Sequence, residues 1–370
     1  MTITAITMPK WGLTMTEGKV VQWLKPQGTA FQPGEEILEI ETSKITNVVE
    51  AEAEGVLARV VAAEGSTLPI GALLAVVAPA DTPDAEIDAF VSGFAVPEPA
   101  DSEEAGVEPP APQMLEAGGQ RLRYLQLGSG GTPVVLLHGF GADLNTWMFN
   151  QPALAERQST VALELPGHGG SSKEVGAGDP DALTAALEAA LDALGIARMH
   201  LVGHSMGGAI AVLLAARRPD CIASLTLIAP AGFGAEINAG FIDGFVRASR
   251  RKDAAEVLQQ LVHDPSLVSR TMVEDVLRYK RLDGVVQALE TIAAAWFPAG
   301  RQARDVTNDV TALQAPVQVI WGREDRVIPV VQASATAARL PVHILEHAGH
   351  LPHMEKSAEV NRLIRAIAAG

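Results

Sequence analysis

Glycines set the first constraint on this chain. Gly18, Gly28 and Gly34 recur as Gly55, Gly65 and Gly71, each displaced by 37 positions, and Ile37 and Leu74 keep the same offset. Around them lie short apolar runs, GKVVQWL, EEILEIE, TNVVEAEAE, GVLARVV and ALLAVVA. Runs of this kind, punctuated by glycine, read as strands joined by turns. A repeat so small cannot bury its own apolar face, so two copies must pack on each other. Residues 1–79 are therefore expected to form an all-β flattened barrel or sandwich. Lys44, in EIETSKIT, falls at the junction of the halves and is expected in a tight exposed turn.

The composition then changes twice. Residues 80–112 are rich in Pro, Asp, Glu and Ala, with one short possible helix around AEIDAFVSGF, and read as an acidic linker. As a flexible coil it would span on the order of 30 Å. From 113 to 370, strand-like runs (PVVLLHGF, STVALELPG, MHLVGHS, ASLTLIAP, APVQVIWG, VHILEHA) alternate with amphipathic stretches such as DPDALTAALEAALDALG. Near-continuous apolar strands separated by helices imply a mostly parallel sheet covered on both faces. Residues from about 232 to 305 interrupt the alternation with helical segments, as an inserted cap would.

Charge and cysteine content narrow the function. A net charge of −16, from 28 basic and 44 acidic residues, excludes nucleic acid as a partner class, since phosphate binding needs a clustered basic excess. Cys221 is the only cysteine, so no internal disulfide forms, which fits a reducing compartment. Neither a signal peptide nor a run of about 18 apolar residues is present, and the chain reads as soluble and cytoplasmic. No membrane partner and no metal site is expected.

The stretch LVGHSMGGA carries chemistry. It matches G-x-S-x-G at Gly203, Ser205 and Gly207, between an expected strand and an expected helix. Small residues on either side permit a sharp turn that lifts a hydroxyl above the sheet. Serine needs a base, and the base needs an orienting acid. Asp325 in VIWGREDRVIP and His350 in HAGHLPHMEK follow in the order Ser, acid, His. Together, HGFG, ELPGHGGSS, GHSMGG, WGREDRVIP and GHLPHMEK give residues 115–370 a pattern that resembles the α/β-hydrolases. The resemblance puts Asp325 rather than Glu324 in the acid position, and the AGH tripeptide favours His350 over His353. His204 and His168 are expected to be structural, and His138 to shape the HGFG loop. The backbone N–H groups of Met206 and Phe140 are the expected oxyanion hole, each such donor contributing about 3–4 kcal/mol in the transition state.

MPKWGLTMTEG, followed by EIETSK, is similar to the lipoyl domains of 2-oxo acid dehydrogenase acyltransferases over residues 4–79. That resemblance implies lipoate in amide linkage on Lys44. A biotin acceptor lysine in the same fold usually lies between two methionines, whereas Lys44 has Ser43 and Ile45 as neighbours; the lipoyl family more often has Asp at the position of Ser43. A solvated turn lysine is the plain alternative.

A lipoyl domain, an acidic linker and an α/β-hydrolase domain in one chain resemble the acyltransferase components of bacterial acetoin dehydrogenase complexes. The His-x-x-x-Asp-Gly signature of the usual lipoyl-dependent acyltransferases is absent. The resemblance implies acetyl transfer from dihydrolipoyl-lysine to coenzyme A. It also implies two partners, a thiamine-diphosphate-dependent enzyme that cleaves acetoin and a flavin-dependent dihydrolipoyl dehydrogenase. Transfer either passes through acetyl-Ser205 or goes directly to a thiol deprotonated by His350. A serine esterase or thioesterase recruited through its lipoyl domain is the rival reading, and an inert scaffold carrying a lipoyl arm is the third. Arg247, Arg250, Arg251 and Lys252 in the cap are either contacts for coenzyme A phosphates or a solvated helix face. Phe140, Trp147, Phe233 and Trp296 either line a pocket or pack the core.

Overall fold

The computed structural model describes residues 3–9, 15–42, 46–51, 53–79, 81–94 and 110–369. Lys44, part of the MPKWGLTMTEG motif and residues 95–109 lie outside the described residues. The chain divides into two compact units, one over Met1–Pro109 and one over Pro110–Val268 and Met272–Gly370.

The first unit holds eight strands among the described residues: β1 (Thr4–Thr7), β2 (Glu17–Trp23), β3 (Ala30–Phe31), β4 (Glu36–Glu41), β5 (Thr46–Glu50), β6 (Gly55–Val60), β7 (Thr67–Pro69) and β8 (Leu73–Val77). They form two antiparallel sheets, in the orders β1-β8-β6-β3 and β5-β4-β2-β7. The 37-residue repeat is visible in this pairing. β2 pairs with β4 and β7, and its copy β6 pairs with β8 and β3, so each half lends its short strand to the other half's sheet. Val20, Ile37, Leu38, Ile40, Leu57 and Leu74 fill the space between.

The repeated glycines serve two purposes. Gly28 and Gly34, with their copies Gly65 and Gly71, all have φ between 78° and 87°, a left-handed turn conformation that costs glycine little. Gly18 and Gly55 instead admit close neighbours. A Cβ on Gly18 would lie 2.6 Å from Met8 Sδ, and one on Gly55 would lie 2.4 Å from Val77 Cγ1.

A helix, α1 (Asp84–Gly93), follows β8 at the place the sequence suggested. It belongs to the first unit. Ile87 is buried against Leu73 and Val76, and Arg59 on β6 pairs with Asp84 and Asp88 at 3.1 and 2.7 Å. Burying one such isoleucine contributes about 2 kcal/mol, enough to hold a short helix down.

The second unit is built on one eight-stranded sheet. Its strands are β9 (Gln113–Ala117), β10 (Gln120–Leu127), β11 (Val134–Leu137), β12 (Thr160–Leu163), β13 (Met199–His204), β14 (Ile222–Ile228), β15 (Val317–Gly322) and β16 (Val342–Leu345). Their spatial order is β16-β15-β14-β13-β11-β12-β10-β9. The six strands from β16 to β12 are parallel, as expected, and β9 and β10 add an antiparallel hairpin at the other edge. That hairpin turns on Gly118 and Gly119, both at positive φ, which is the signature of a two-residue type I′ turn.

Ten helices complete this unit among the described residues: α2 (Gln151–Ala155), α3 (Pro180–Ala193), α4 (Met206–Arg217), α5 (Ala239–Arg247), α6 (Arg251–Leu258), α7 (Arg270–Lys280), α8 (Val285–Trp296), α9 (Thr307–Ala312), α10 (Pro352–Glu355) and α11 (Ser357–Ala368). Alternate residues of each strand feed opposite cores. Val134 and Leu136 pack with Leu154 of α2 and Leu363 of α11, whereas Val135 and Leu137 pack with Leu187 of α3 and Ile210 of α4. Helices α5 to α8 come between β14 and β15, where the sequence suggested a cap.

Candidate active site

Ser205 occupies the turn between β13 and α4, with φ 54° and ψ −121°. A non-glycine residue there stores on the order of 1–3 kcal/mol of strain, and the packing around it enforces the conformation. A Cβ on Gly203 would lie 2.4 Å from Gly207 O, and one on Gly207 would lie 2.4 Å from His138 O. Only hydrogen fits at either glycine. The hydrogen bonds Ser205 N to Ile228 O, 2.9 Å, and Ala231 N to Ser205 O, 3.0 Å, tie the turn to the end of β14.

Asp325 and His350 arrive on the loops after β15 and β16. His350 Nε2 lies 3.0 Å from Ser205 Oγ, and His350 Nδ1 lies 2.8 Å from Asp325 Oδ2. Oδ1 of Asp325 accepts from Val327 N and Ile328 N at 2.8 and 2.9 Å, while Oδ2 also accepts from Trp321 Nε1 at 2.9 Å. Four donors on this fully buried carboxylate fix its orientation. The carboxylate therefore keeps the proton of His350 on Nδ1, which leaves Nε2 free to accept the serine proton.

The rival residues face elsewhere. Glu324 accepts from Ala348 N at 3.0 Å, and His353 Nε2 meets Thr146 Oγ1 at 2.9 Å. Burial lowers His353 to about 3. His204 is likewise held neutral by burial, and its Nε2 donates to His350 O at 2.8 Å. His138 accepts from Leu165 N on Nε2 and donates from Nδ1 to Gly139 O, so it does shape the HGFG loop. His168, also kept neutral by burial, donates from Nδ1 to Pro166 O.

Met206 opens α4, and its N–H is one of the first-turn amides that have no partner four residues back. Phe140 sits on the loop after β11, where its ring meets Phe245 of α5 and Phe297, just after α8, at 6.0 Å each. Phe140 is thus walled by the cap. Of the other aromatics singled out, Trp147 is buried against His353, Phe233 lies 6.3 Å from Trp321, and Trp296 donates to Gly178 O, all in core positions.

Three comparisons with known proteins bear on this arrangement. A family model for biotin-requiring enzymes matches residues 4–77, and one for the alpha/beta hydrolase fold matches residues 132–357. The dihydrolipoyllysine-residue acetyltransferase component of the acetoin cleaving system of Pseudomonas putida is 46% identical over 365 residues, covering 98% of each chain. Its counterpart in Cupriavidus necator is 42% identical over 366 residues, covering 98% of this chain and 97% of that one. The chain belongs to this family of acetyltransferase components. In the solved structure of a meta-cleavage product hydrolase from Pseudomonas fluorescens IP01, the fold alone is shared. Its TM-score is 0.64 at 23% identity, covering 69% of this chain and 96% of that one.

Lys44 falls between two described strands of the first unit. β4 ends at Glu41 and β5 begins at Thr46, and these two residues are cross-strand partners. A lysine amine in a connection between paired strands suits an amide-linked carrier.

The basic cluster of the cap divides. Arg250, Arg251 and Lys252 pair with Asp253, Glu274 and Glu256, whereas Arg247 lines a cavity of about 650 Å³ between α5 and α8. Asp243, Glu290 and Phe297 share that lining.

Three residues of the site escaped the sequence reading. Trp321 supports Asp325 through its indole N–H. Glu164 opens ELPGHGG. Its buried carboxylate accepts from Gly170 N at 2.6 Å and meets Arg123 at 3.3 Å, and burial pushes it up to about 7. Glu355, in GHLPHMEK, is buried beside the histidine loop and is also pushed up to about 7 by burial. A carboxylate within a motif that also carries glycine and histidine was the available signal for both.

Proposed function

We propose that this chain moves an acetyl group from a lipoyl arm on Lys44 to coenzyme A, through an acetyl ester on Ser205. The carrying observation is the continuous chain of short contacts from Asp325 through His350 to Ser205, in a protein whose relatives match it over both parts. When attached, the lipoyl group supplies a thiol that holds acetyl as a thioester. His350 Nε2 takes the Ser205 proton as Oγ bonds to the acetyl carbon, with the oxyanion received by the N–H groups of Met206 and Phe140. The C–S bond breaks, and His350 returns the proton to the departing sulfur. In the second half, His350 takes the proton of the coenzyme A thiol. Its sulfur bonds to the acetyl carbon, the Oγ–C bond breaks, and the proton goes back to Ser205.

A thioester is more activated than an oxygen ester, so the second half runs uphill and water competes for the intermediate. The deep position of Ser205, 7% exposed, and the cap aromatics over Phe140 support transfer over hydrolysis. We assign residues 1 to about 94 to the lipoyl unit and 110–370 to the transferase unit. The partners are a thiamine-diphosphate enzyme that cleaves acetoin and a flavin-dependent dihydrolipoyl dehydrogenase, acting together in the cytoplasm.

The test is a product assay. The lipoylated chain given acetyl-dihydrolipoamide and coenzyme A is expected to yield acetyl-coenzyme A. Free acetate as the main product would make it a thioesterase, and no turnover would leave it a carrier.

A further inference from the structure

His350 depends on more than Asp325 for its position. The carbonyl of His350 accepts from His204 Nε2 at 2.8 Å, on the nucleophile side. The amide before it, Gly349 N, donates to Glu355 Oε1 at 2.7 Å, and the amide after it, Leu351 N, donates to Leu261 O at 3.2 Å. Glu355 spends its other oxygen on the cap, where Oε2 accepts from His263 N at 2.7 Å. Both partners of this buried carboxylate are therefore main-chain amides, one adjoining the base and one in the segment after α6.

That segment is pressed onto the histidine loop. A Cβ on Gly349 would lie 2.7 Å from Val262 C and 2.8 Å from Leu261 O. Arg326, next to Asp325, donates to Gln259 O at 3.0 Å and to Val262 O. The cap segment 259–263 thus rests on both loops that deliver the acid and the base, and Glu355 is hydrogen-bonded to the histidine loop and to the cap at once. Glu324 also touches both, accepting from Ala348 N at 3.0 Å and lying 4.0 Å from His263 Nδ1.

We propose that Glu355 is a positioning residue that makes the alignment of His350 depend on the cap segment Leu261–His263 being seated. The inference rests on the assignment of Ser205, Asp325 and His350 as the catalytic triad. Seating completes the set of hydrogen bonds around the His350 main chain, and unseating leaves Glu355 and Leu351 N each without one partner. The base is then free to swing, and a displacement near 1 Å costs on the order of 10²-fold in rate. Closure of the cap and readiness of the base become one event.

Glu355→Gln in the full lipoylated chain tests this. Its amide oxygen accepts from one of the two N–H groups, but its amide nitrogen opposes the other. The expected result is a kcat reduced on the order of 10²-fold with KM little changed, together with loss or broadening of the far-downfield proton signal of the His350–Asp325 hydrogen bond. A variant that keeps both the signal and a kcat within about twofold of the parent overturns the proposal. A variant that loses rate and thermal stability while the signal is intact overturns it also, since that is a merely structural role. If Glu355→Gln does not fold, Glu355→Asp, which keeps the charge but shortens the reach, must show the same loss; a folded Glu355→Asp with normal kcat overturns the proposal. Asp325→Asn, run in parallel, isolates the triad assignment. Its activity fails or survives independently of Glu355.

Discussion

Replacing Asp325 with asparagine separates geometry from charge. Oδ1 of Asp325 faces two donors, Val327 N and Ile328 N. An asparagine there must present its amide oxygen to them, because an NH₂ group would oppose both. The NH₂ group is then forced into the Oδ2 position, 2.8 Å from His350 Nδ1. It can only donate, so Nδ1 must become the acceptor and the ring proton moves to Nε2. A protonated Nε2 cannot take the proton of Ser205 Oγ, 3.0 Å away. The expected loss in kcat is on the order of 10⁴-fold, or about 5.4 kcal/mol. Stability should fall by only about 1–2 kcal/mol, since Trp321 Nε1 retains Ile328 O at 3.2 Å as an alternative partner. The assay is steady-state formation of acetyl-coenzyme A beside urea unfolding. Activity within tenfold of the parent would refute the reasoning. So would a loss of the same size in Glu324→Gln, whose carboxylate accepts from Ala348 N at 3.0 Å and lies 4.0 Å from His263 Nδ1.

Other expectations follow from the same structure. Glu164 has its carboxyl raised to about 7 by burial, so between pH 4.5 and 7 the folded chain keeps a proton that the unfolded chain has lost, and stability falls as pH rises through that window. Glu164→Gln should flatten the stability curve there by about 1 kcal/mol per pH unit; an unchanged slope in urea titrations would show that Glu164 is ionised throughout. Gly207→Ala drives a Cβ to 2.4 Å from His138 O, on the strand end that leads to Phe140. It should lower stability by about 1–3 kcal/mol and kcat by about 10²- to 10³-fold, the size of losing one oxyanion donor, and normal kcat would contradict the close-packing argument. Lys44→Arg should lose the mass of the lipoyl group and transfer from the chain's own arm, while Ser205 stays reactive toward a small activated acetyl ester. A lipoyl mass surviving this change would move the attachment elsewhere.

The parts that sequence made legible are those written in backbone-level necessity. The 37-residue glycine offset is readable because two glycines of each copy need positive φ and the third needs an absent side chain. The nucleophile turn is readable because Gly203 and Gly207 approach backbone atoms too closely for any other residue. The edge hairpin β9–β10 was missed, although Gly118–Gly119 marks its turn, because QMLEA and QRLRYLQL carry many polar residues and no continuous apolar run. Helix α1 was seen, but not its attachment. Ile87 and Arg59 are 28 positions apart, and nothing local says that they share a surface. Glu355 shows the same limit. Its partners are main-chain amides of Gly349 and His263, and no side-chain pattern encodes a carboxylate that bridges backbone groups 86 residues apart.

The most direct test of the account is to quench the lipoylated chain soon after mixing with acetyl-dihydrolipoamide and no coenzyme A, then weigh the peptide that contains Ser205. The predicted result is one added acetyl group on that peptide, removed when coenzyme A is supplied and never formed in Ser205→Ala or Asp325→Asn. An unmodified peptide from a chain that still makes acetyl-coenzyme A, or full transfer by Ser205→Ala, would contradict it.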